Sequence, residues 1–201
     1  MSVSILAKSL LDVADFFDSF PEITEKAAVL AVNDASEDTL PSLKREMRKQ
    51  INFPSNYLNQ SRLGIRRKAT RGSIEAVISG RDRPTSLARF AEGATPQNSR
   101  GRPLFLKVKN GQVRKMVRGD GTPSAFLVNL RNGNIGLAVR LRPGEKLDNS
   151  EKAVRLDNNL YLLYGPSVDQ VLRDVADTET PDITRRVSTN FFRQFARLSR
   201  A

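Results

Sequence analysis

Leu104-Phe105-Leu106-Lys107-Val108-Lys109-Asn110-Gly111-Gln112-Val113-Arg114-Lys115-Met116-Val117 decides the class of this chain. Apolar residues alternate with polar ones on both sides of Asn-Gly, a pair in which both residues accept positive φ. A two-residue turn there pairs Val108 with Val113, Leu106 with Lys115 and Leu104 with Val117 on one face. The other face pairs Lys109 with Gln112, Lys107 with Arg114 and Phe105 with Met116. A second Asn-Gly, Asn132-Gly133, lies between apolar runs in the same way. It pairs Leu130 with Ile135, Val128 with Leu137 and Phe126 with Val139, an apolar face. Period-2 alternation about tight turns predicts an antiparallel sheet with one buried side, basic on the outer side of the first hairpin.

Working outward, the alternation begins near Ser61. Ser61–Lys68 and Ser73–Ser79 read as strands joined by Ala69-Thr70-Arg71-Gly72. Ala91 to Pro103 is small and polar without apolar period, a loop expected to be disordered in an isolated subunit. A last strand, Leu160–Tyr164, is expected to stop at Gly165-Pro166. Ser167-Val168-Asp169-Gln170 then has the spacing of a capping box.

Both ends of the chain have helical period. Leu6, Leu10, Val13 and Phe17 form one stripe, predicting a helix over Ser4–Phe17. Pro21 opens a longer helix carrying Ala28, Ala31 and Ala35, small residues that let another helix approach closely. Pro41 is expected to break or kink it, and a second, basic segment with Leu43, Met47 and Ile51 ends near Asn52–Pro54. At the other end, Val168, Val171, Leu172 and Val175 line one helix. Thr180-Pro181-Asp182 is expected to start another, with Ile183, Val187, Phe191, Phe195 and Leu198 in a stripe. The expected class is α+β: an antiparallel β core over 61–164 with a flexible loop at 91–103, an N-terminal helical segment over 1–52, and C-terminal helices over 167–201, in one structural domain.

Composition narrows the chemistry. Among 201 residues there is no Cys and no His, so disulfides, Cys/His zinc sites, thiol nucleophiles and imidazole relays are excluded. No glycine-rich phosphate loop occurs. Glu75 and Asp82 are the carboxylates a metal-dependent nuclease would need near the basic region. Asp82, between Arg81 and Arg83, is instead expected to be ion-paired. No catalytic residue, metal ligand or cofactor is assigned. Lys8, Asp12 and Asp15 interrupt the first residues too early for a signal peptide, and no run approaches the ~18 apolar residues of a membrane span. The expectation is a protein made and used in a cytoplasm, without membrane contact.

The net charge is +11, and residues 44–118 hold 19 Lys/Arg against 4 Asp/Glu. Such concentration points to a polyanionic partner or to acidic protein surfaces. Lys107, Lys109, Arg114 and Arg118 are the candidate contacts to DNA in a channel or to an acidic partner. Arg81, Arg83 and Arg89, forks suited equally to phosphate and carboxylate, are candidate inter-subunit anchors.

Several strings carry a resemblance: the basic Lys44-Arg45-Glu46-Met47-Arg48-Lys49-Gln50 run, Arg81-Asp82-Arg83-Pro84-Thr85-Ser86-Leu87-Ala88-Arg89-Phe90, the Asn110-Gly111 hairpin, and Leu163-Tyr164-Gly165-Pro166-Ser167-Val168. Together they resemble the minor tail protein Z family of lambda-like long-tailed bacteriophages, also called tail completion proteins, over nearly the whole chain. The resemblance implies a structural virion component of the tail or neck, assembled in the host cytoplasm. It implies a homo-oligomeric ring near the tail terminator and head–tail connector proteins, enclosing packaged DNA and enabling head–tail joining. The Ala91–Pro103 loop departs from some members. The alternative is a free nucleic-acid-binding protein using the basic 44–118 region. Against it, aromatic residues are sparse on the basic faces, with Phe105 alone on the first hairpin.

Overall fold

The computed structural model describes residues 3–6, 21–147 and 152–200. Its layout is α+β: several antiparallel sheets and two long helices, α1 (Pro21–Gln50) and α2 (Val168–Leu198). The strands are β1 (Val3–Leu6), β2 (Leu63–Arg67), β3 (Glu75–Gly80), β4 (Pro84–Ser86), β5 (Leu104–Leu106), β6 (Arg114–Met116), β7 (Ala125–Asn129), β8 (Ile135–Arg140), β9 (Lys152–Asp157) and β10 (Leu160–Ser167). The chain divides into two compact units. A helical unit comprises Met1–Met47, Leu58–Arg81 and Asp169–Ala201, and a sheet unit comprises Arg48–Tyr57 and Asp82–Val168.

In the helical unit, the small residues of α1 make room for an aromatic ring. Ala27, Ala28 and Ala31 are buried against Phe191 of α2, with Ile74, Phe195 and Leu198 packed around them. Beside this apolar seam runs a polar one. Asp34 accepts from Arg193 (3.0 Å) and Gln194 (2.6 Å), the Asp38 carbonyl accepts from Arg186 (3.0 Å), and Ser42 Oγ accepts from Arg186 (3.2 Å) and donates to Glu179 (3.0 Å). Partners advance by four along α1 while they retreat along α2, as two antiparallel helices side by side require.

Neither internal proline ends a helix. α1 runs through Pro41 and α2 through Pro181, so the expected division of each into two segments is not what forms. A proline costs about 3 kcal/mol in a helix interior. Here buried residues flank it on both sides: Ala35, Thr39, Leu43 and Met47 in α1, and Val175, Ala176, Ile183 and Val187 in α2. Packing of a long face outweighs one missing hydrogen bond.

At the start of the chain, residues 3–6 are a strand, not the first turn of a helix. β1 pairs antiparallel with β3, Val3 opposite Ile78 and Leu6 opposite Glu75, giving the sheet order β1-β3-β2. An unpaired edge of β3 offers these residues a ladder that a short isolated helix lacks. The rest of the expected Ser4–Phe17 helix lies outside the described residues. The β2–β3 hairpin forms as expected, closed by reciprocal Thr70–Ser73 backbone bonds of 2.9 and 3.1 Å.

The sheet unit holds a five-stranded sheet, β4-β10-β8-β7 with β9 also on β10, and the separate two-stranded β5–β6. The two Asn-Gly hairpins therefore belong to different sheets rather than to one. Both also differ in register from expectation by one residue. Leu104 faces Met116, Phe105 faces Lys115 and Leu106 faces Arg114; Leu127 faces Leu137 and Ala125 faces Val139. The cause is shared. Gly111 and Gly133 take φ of +75° and +77°, but Asn110 and Asn132 stay at negative φ. The turns close as Gln112 N–H to Lys109 carbonyl (3.2 Å) and Gly133 N–H to Leu130 carbonyl (2.9 Å). The two-residue turn with both centres at positive φ is thus not formed, and one residue of slip moves each partner to the other face.

Two further differences concern the last strands. β9 is a strand beyond those expected; it reaches β10 through Asn158-Asn159, where Asn159 takes φ +55°. β10 does not stop at Gly165-Pro166 but runs to Ser167, with a register shift between Gly165 and Ser167 where it pairs with β4. The shift accommodates Pro166, which has no N–H to give a ladder.

Candidate nucleic-acid interface

Charge divides unequally between the two units, though less sharply than along the sequence. The sheet unit has 17 Lys/Arg against 7 Asp/Glu, or +10, while the helical unit has 16 against 15, or +1. The basic β2–β3 hairpin belongs to the helical unit, where Arg67 pairs with Glu75 and Lys68 with Glu37 (2.7 Å). Almost the whole excess therefore sits on residues 48–57 and 82–168.

The four candidate contacts of the sheet unit have different fates. Arg118 is a structural clamp. Its side chain is 15% exposed, its Nε donates to both carboxylate oxygens of Glu145 (3.1 and 3.4 Å), and its terminal nitrogens donate to the carbonyls of Pro123 and Arg140. It ties the β6–β7 loop to the segment after β8 and is not available to a ligand. Arg114 faces Leu106, on the side of the sheet expected to be apolar, because of the register slip. Lys107 pairs with Glu92 at 2.8 Å. Lys109 is exposed and has no acidic partner among the described residues.

The residue missed on this hairpin is Lys115. It is exposed directly opposite Phe105, itself 46% exposed, and has no acidic partner among the described residues. The sequence signal was the register alone. Beyond this pair, the hairpin tip and its neighbours enclose a cleft of about 500 Å³ lined by Asn52, Glu92, Lys107, Lys109, Gln112 and Val113. Backbone bonds hold its walls: Lys107 N–H to Phe90 carbonyl (2.9 Å) and Asn52 N–H to Val108 carbonyl (2.8 Å).

The Arg81–Phe90 string divides between roles. The Arg81 backbone donates to Arg62 and accepts from Asp169 (2.7 and 3.1 Å) in the helical unit. Arg83 is exposed. The Arg89 guanidinium lies 5.1 Å from the centroid of the Tyr57 ring, which stacks on Phe53. The expected ion pair of Asp82 with a flanking arginine does not form. Glu75 is engaged by Arg67, and no group of three or more acidic residues converges as a metal site among the described residues. The Ala91–Pro103 loop is tied down at Ser99: its Oγ accepts the Leu127 N–H of β7 at 2.9 Å, and its own N–H bonds the Thr95 carbonyl at 3.0 Å. Among the described residues, no helix is long and apolar enough to cross a membrane.

A second ionic network braces the Arg118 clamp. Asp120 accepts from the Thr122 hydroxyl (2.7 Å) and N–H (3.0 Å) and from Arg142 (2.7 Å). Those bonds hold its carboxyl well below the usual carboxylate range and raise Arg142. Glu145 is lowered first by the Arg142 N–H and then by Arg118.

The Arg81–Phe90 and Leu163–Val168 strings are neighbours in space. β4 and β10 pair Tyr164 with Ser86, Gly165 with Thr85 and Ser167 with Pro84. Thr85 is fully buried and accepts the Tyr57 hydroxyl at 3.2 Å. No protein-family model matches this chain, and no curated protein or solved structure matches it at a significant level.

Proposed function

We propose that this protein is a non-catalytic structural component of a phage tail, a tail completion or neck protein. In this reading its subunits form a ring that readies the tail for joining to a DNA-filled head. The observation that carries it is the charge partition: the sheet unit holds +10 and the helical unit +1. A ring around DNA needs one surface for polyanion and others for neighbouring proteins, and a chain with one basic unit and one balanced unit can supply both. The resemblance of the Arg81–Phe90 and Tyr164–Val168 strings supports the assignment, and parts of both strings pair as β4 and β10. Tail terminator and head–tail connector proteins are the partners this role requires.

The test is charge reversal at Lys109 and Lys115 to Glu, followed by joining of assembled tails to filled heads in vitro. Tails are expected to assemble and to join poorly. Normal joining by the double variant would remove the polyanion-facing role of the sheet unit. A second reading, a free nucleic-acid-binding protein, is favoured by one observation, the exposed Phe105 opposite Lys115. Tight binding by the isolated monomer with a steep salt slope would support it.

A further inference from the structure

We propose that the outer face of the β5–β6 hairpin, with the cleft at its tip, is a binding site for single-stranded nucleic acid. The inference rests on the reading of the sheet unit as the polyanion-facing unit, and it names the ligand form and the side chains. Phe105 is 46% exposed on a three-residue strand whose neighbours Leu104 and Leu106 are buried. Phe105 lies on the face of the strand opposite that core, where its half-exposed ring can meet a ligand. Its direct cross-strand neighbour is Lys115, exposed and without an acidic partner among the described residues. A flat ring beside an ammonium suits a stacked base with its phosphate.

The cleft continues the same chemistry. Lys109 supplies a second unpaired ammonium, Val113, 56% exposed, a second apolar surface, and Asn52 and Gln112 supply amides that donate and accept. Amides of that kind meet the open edges of unpaired bases. Lys107 is neutralised by Glu92, so two free charges, not three, face the ligand here. A duplex would bring phosphates to the lysines but would leave Phe105 with nothing to stack on. An acidic protein segment would satisfy the lysines and is the rival that the test must separate. The charge of the unit, +10, favours a polyanion over a short acidic patch.

The experiment is fluorescence anisotropy of end-labelled oligonucleotides with the purified full chain, titrated with salt. Probes are twenty-residue oligothymidylate and oligouridylate, a duplex of equal length, and polyglutamate as competitor. Single strands are expected to bind tighter than duplex; comparison of the two single strands tells a DNA from an RNA ligand. Phe105→Ala is expected to weaken single-strand binding at least about fivefold, the low end of base–aromatic stacking, without changing the salt slope. Lys109→Ala and Lys115→Ala are each expected to reduce the slope by about 0.7. Circular dichroism melts of the variants check that they fold. Equal or tighter duplex binding, an unchanged Phe105→Ala variant, displacement by polyglutamate at equal charge, or no binding at low salt would each overturn the proposal. Head–tail joining by Phe105→Ala tails is read separately: normal joining with lost oligonucleotide binding leaves the assembly role standing without this site.

Discussion

Gly165 stands directly opposite Thr85 where β10 meets β4, and a Cβ placed on it would lie 3.0 Å from Leu87 Cδ2. Leu87 is buried, so its methyl must give by a few tenths of an ångström. Gly136 on β8 is tighter still: a Cβ there would come within 2.6 Å of Leu162 Cδ2 and 3.4 Å of both Leu130 methyls. Overpacking of this kind costs about 1–3 kcal/mol. Gly136→Ala is therefore expected to lower Tm by several degrees and Gly165→Ala by less, in thermal melts of the two variants. The reverse order would show that the β8–β10 contact is looser than its geometry.

The helix pair of the helical unit gives a contrast between adjacent phenylalanines. Phe191 is buried against Ala27, Ala28 and Ala31, whereas Phe192 is 53% exposed. Phe191→Ala is expected to cost about 3–5 kcal/mol in urea unfolding, and Phe192→Ala less than about 1 kcal/mol. Ala31→Leu is expected to destabilise as well, because the stripe of small residues is what admits the ring.

How much of this was legible depends on what each signal encodes. The alanine stripe, the α+β class and the positions of both hairpins follow from period and turn chemistry, which are local. The register of those hairpins does not, because Asn110 and Asn132 are free to take either sign of φ and the choice is made by the strands around them. The two prolines misled for the opposite reason: Pro41 and Pro181 are locally unfavourable, but distant packing decides. From its charge alone Arg118 is a candidate ligand contact. Only the fold reveals that Glu145, Pro123 and Arg140 consume its donors. A one-residue slip exchanges the faces of Arg114 and Lys115, so the expected register puts Arg114 and not Lys115 on the outer side.

The clamp separates structural from contact arginines in a single experiment. Arg118→Ala takes the guanidinium donors from Glu145, which keeps the Arg142 N–H, and from the Pro123 and Arg140 carbonyls, a loss of about 1–3 kcal/mol for such groups. It is expected to lower the urea midpoint, while Lys109→Ala and Lys115→Ala leave that midpoint unchanged. An Arg118→Ala variant as stable as the parent would return Arg118 to the list of contact residues.

The Asp120–Thr122–Arg142 network has a predictable response to acid. Asp120 is held below its ordinary value in the fold, so its contribution to stability is full above the ordinary aspartate range, near pH 4. It declines as pH falls below that range toward the depressed folded value. The Tm difference between the parent and Asp120→Asn is therefore expected to be constant from pH 7 to pH 5 and to shrink on further acidification. A difference that grows as pH falls has the wrong sign for a lowered carboxylate and would reject the network as drawn.

Ser99 is where a polar loop becomes part of a sheet. The segment from Ala91 to Pro103 has no apolar period, and ordering each residue costs about 1–2 kcal/mol. It offsets part of that cost with short polar bonds of its own. Thr95 N–H donates to Asn98 Oδ1 at 2.6 Å, Asn98 N–H to Thr95 Oγ1 at 3.3 Å, and Ser99 N–H to the Thr95 carbonyl at 3.0 Å. The turn so formed places Ser99, 1% exposed, against β7, where its Oγ accepts from the Leu127 N–H. β7 ends the strand order β4-β10-β8-β7, and an edge amide left bare invites pairing with another chain. Ser99→Ala removes the acceptor and keeps the size, so a buried Leu127 N–H loses its partner at a cost of about 1–3 kcal/mol. Hydrogen exchange at Leu127 is expected to accelerate in the variant while Leu137, across the ladder on β8, is little changed, and the variant is expected to self-associate at lower concentration in light scattering. If Leu127 already exchanges freely in the parent protein, the loop does not cover this edge and its anchoring at Ser99 is refuted.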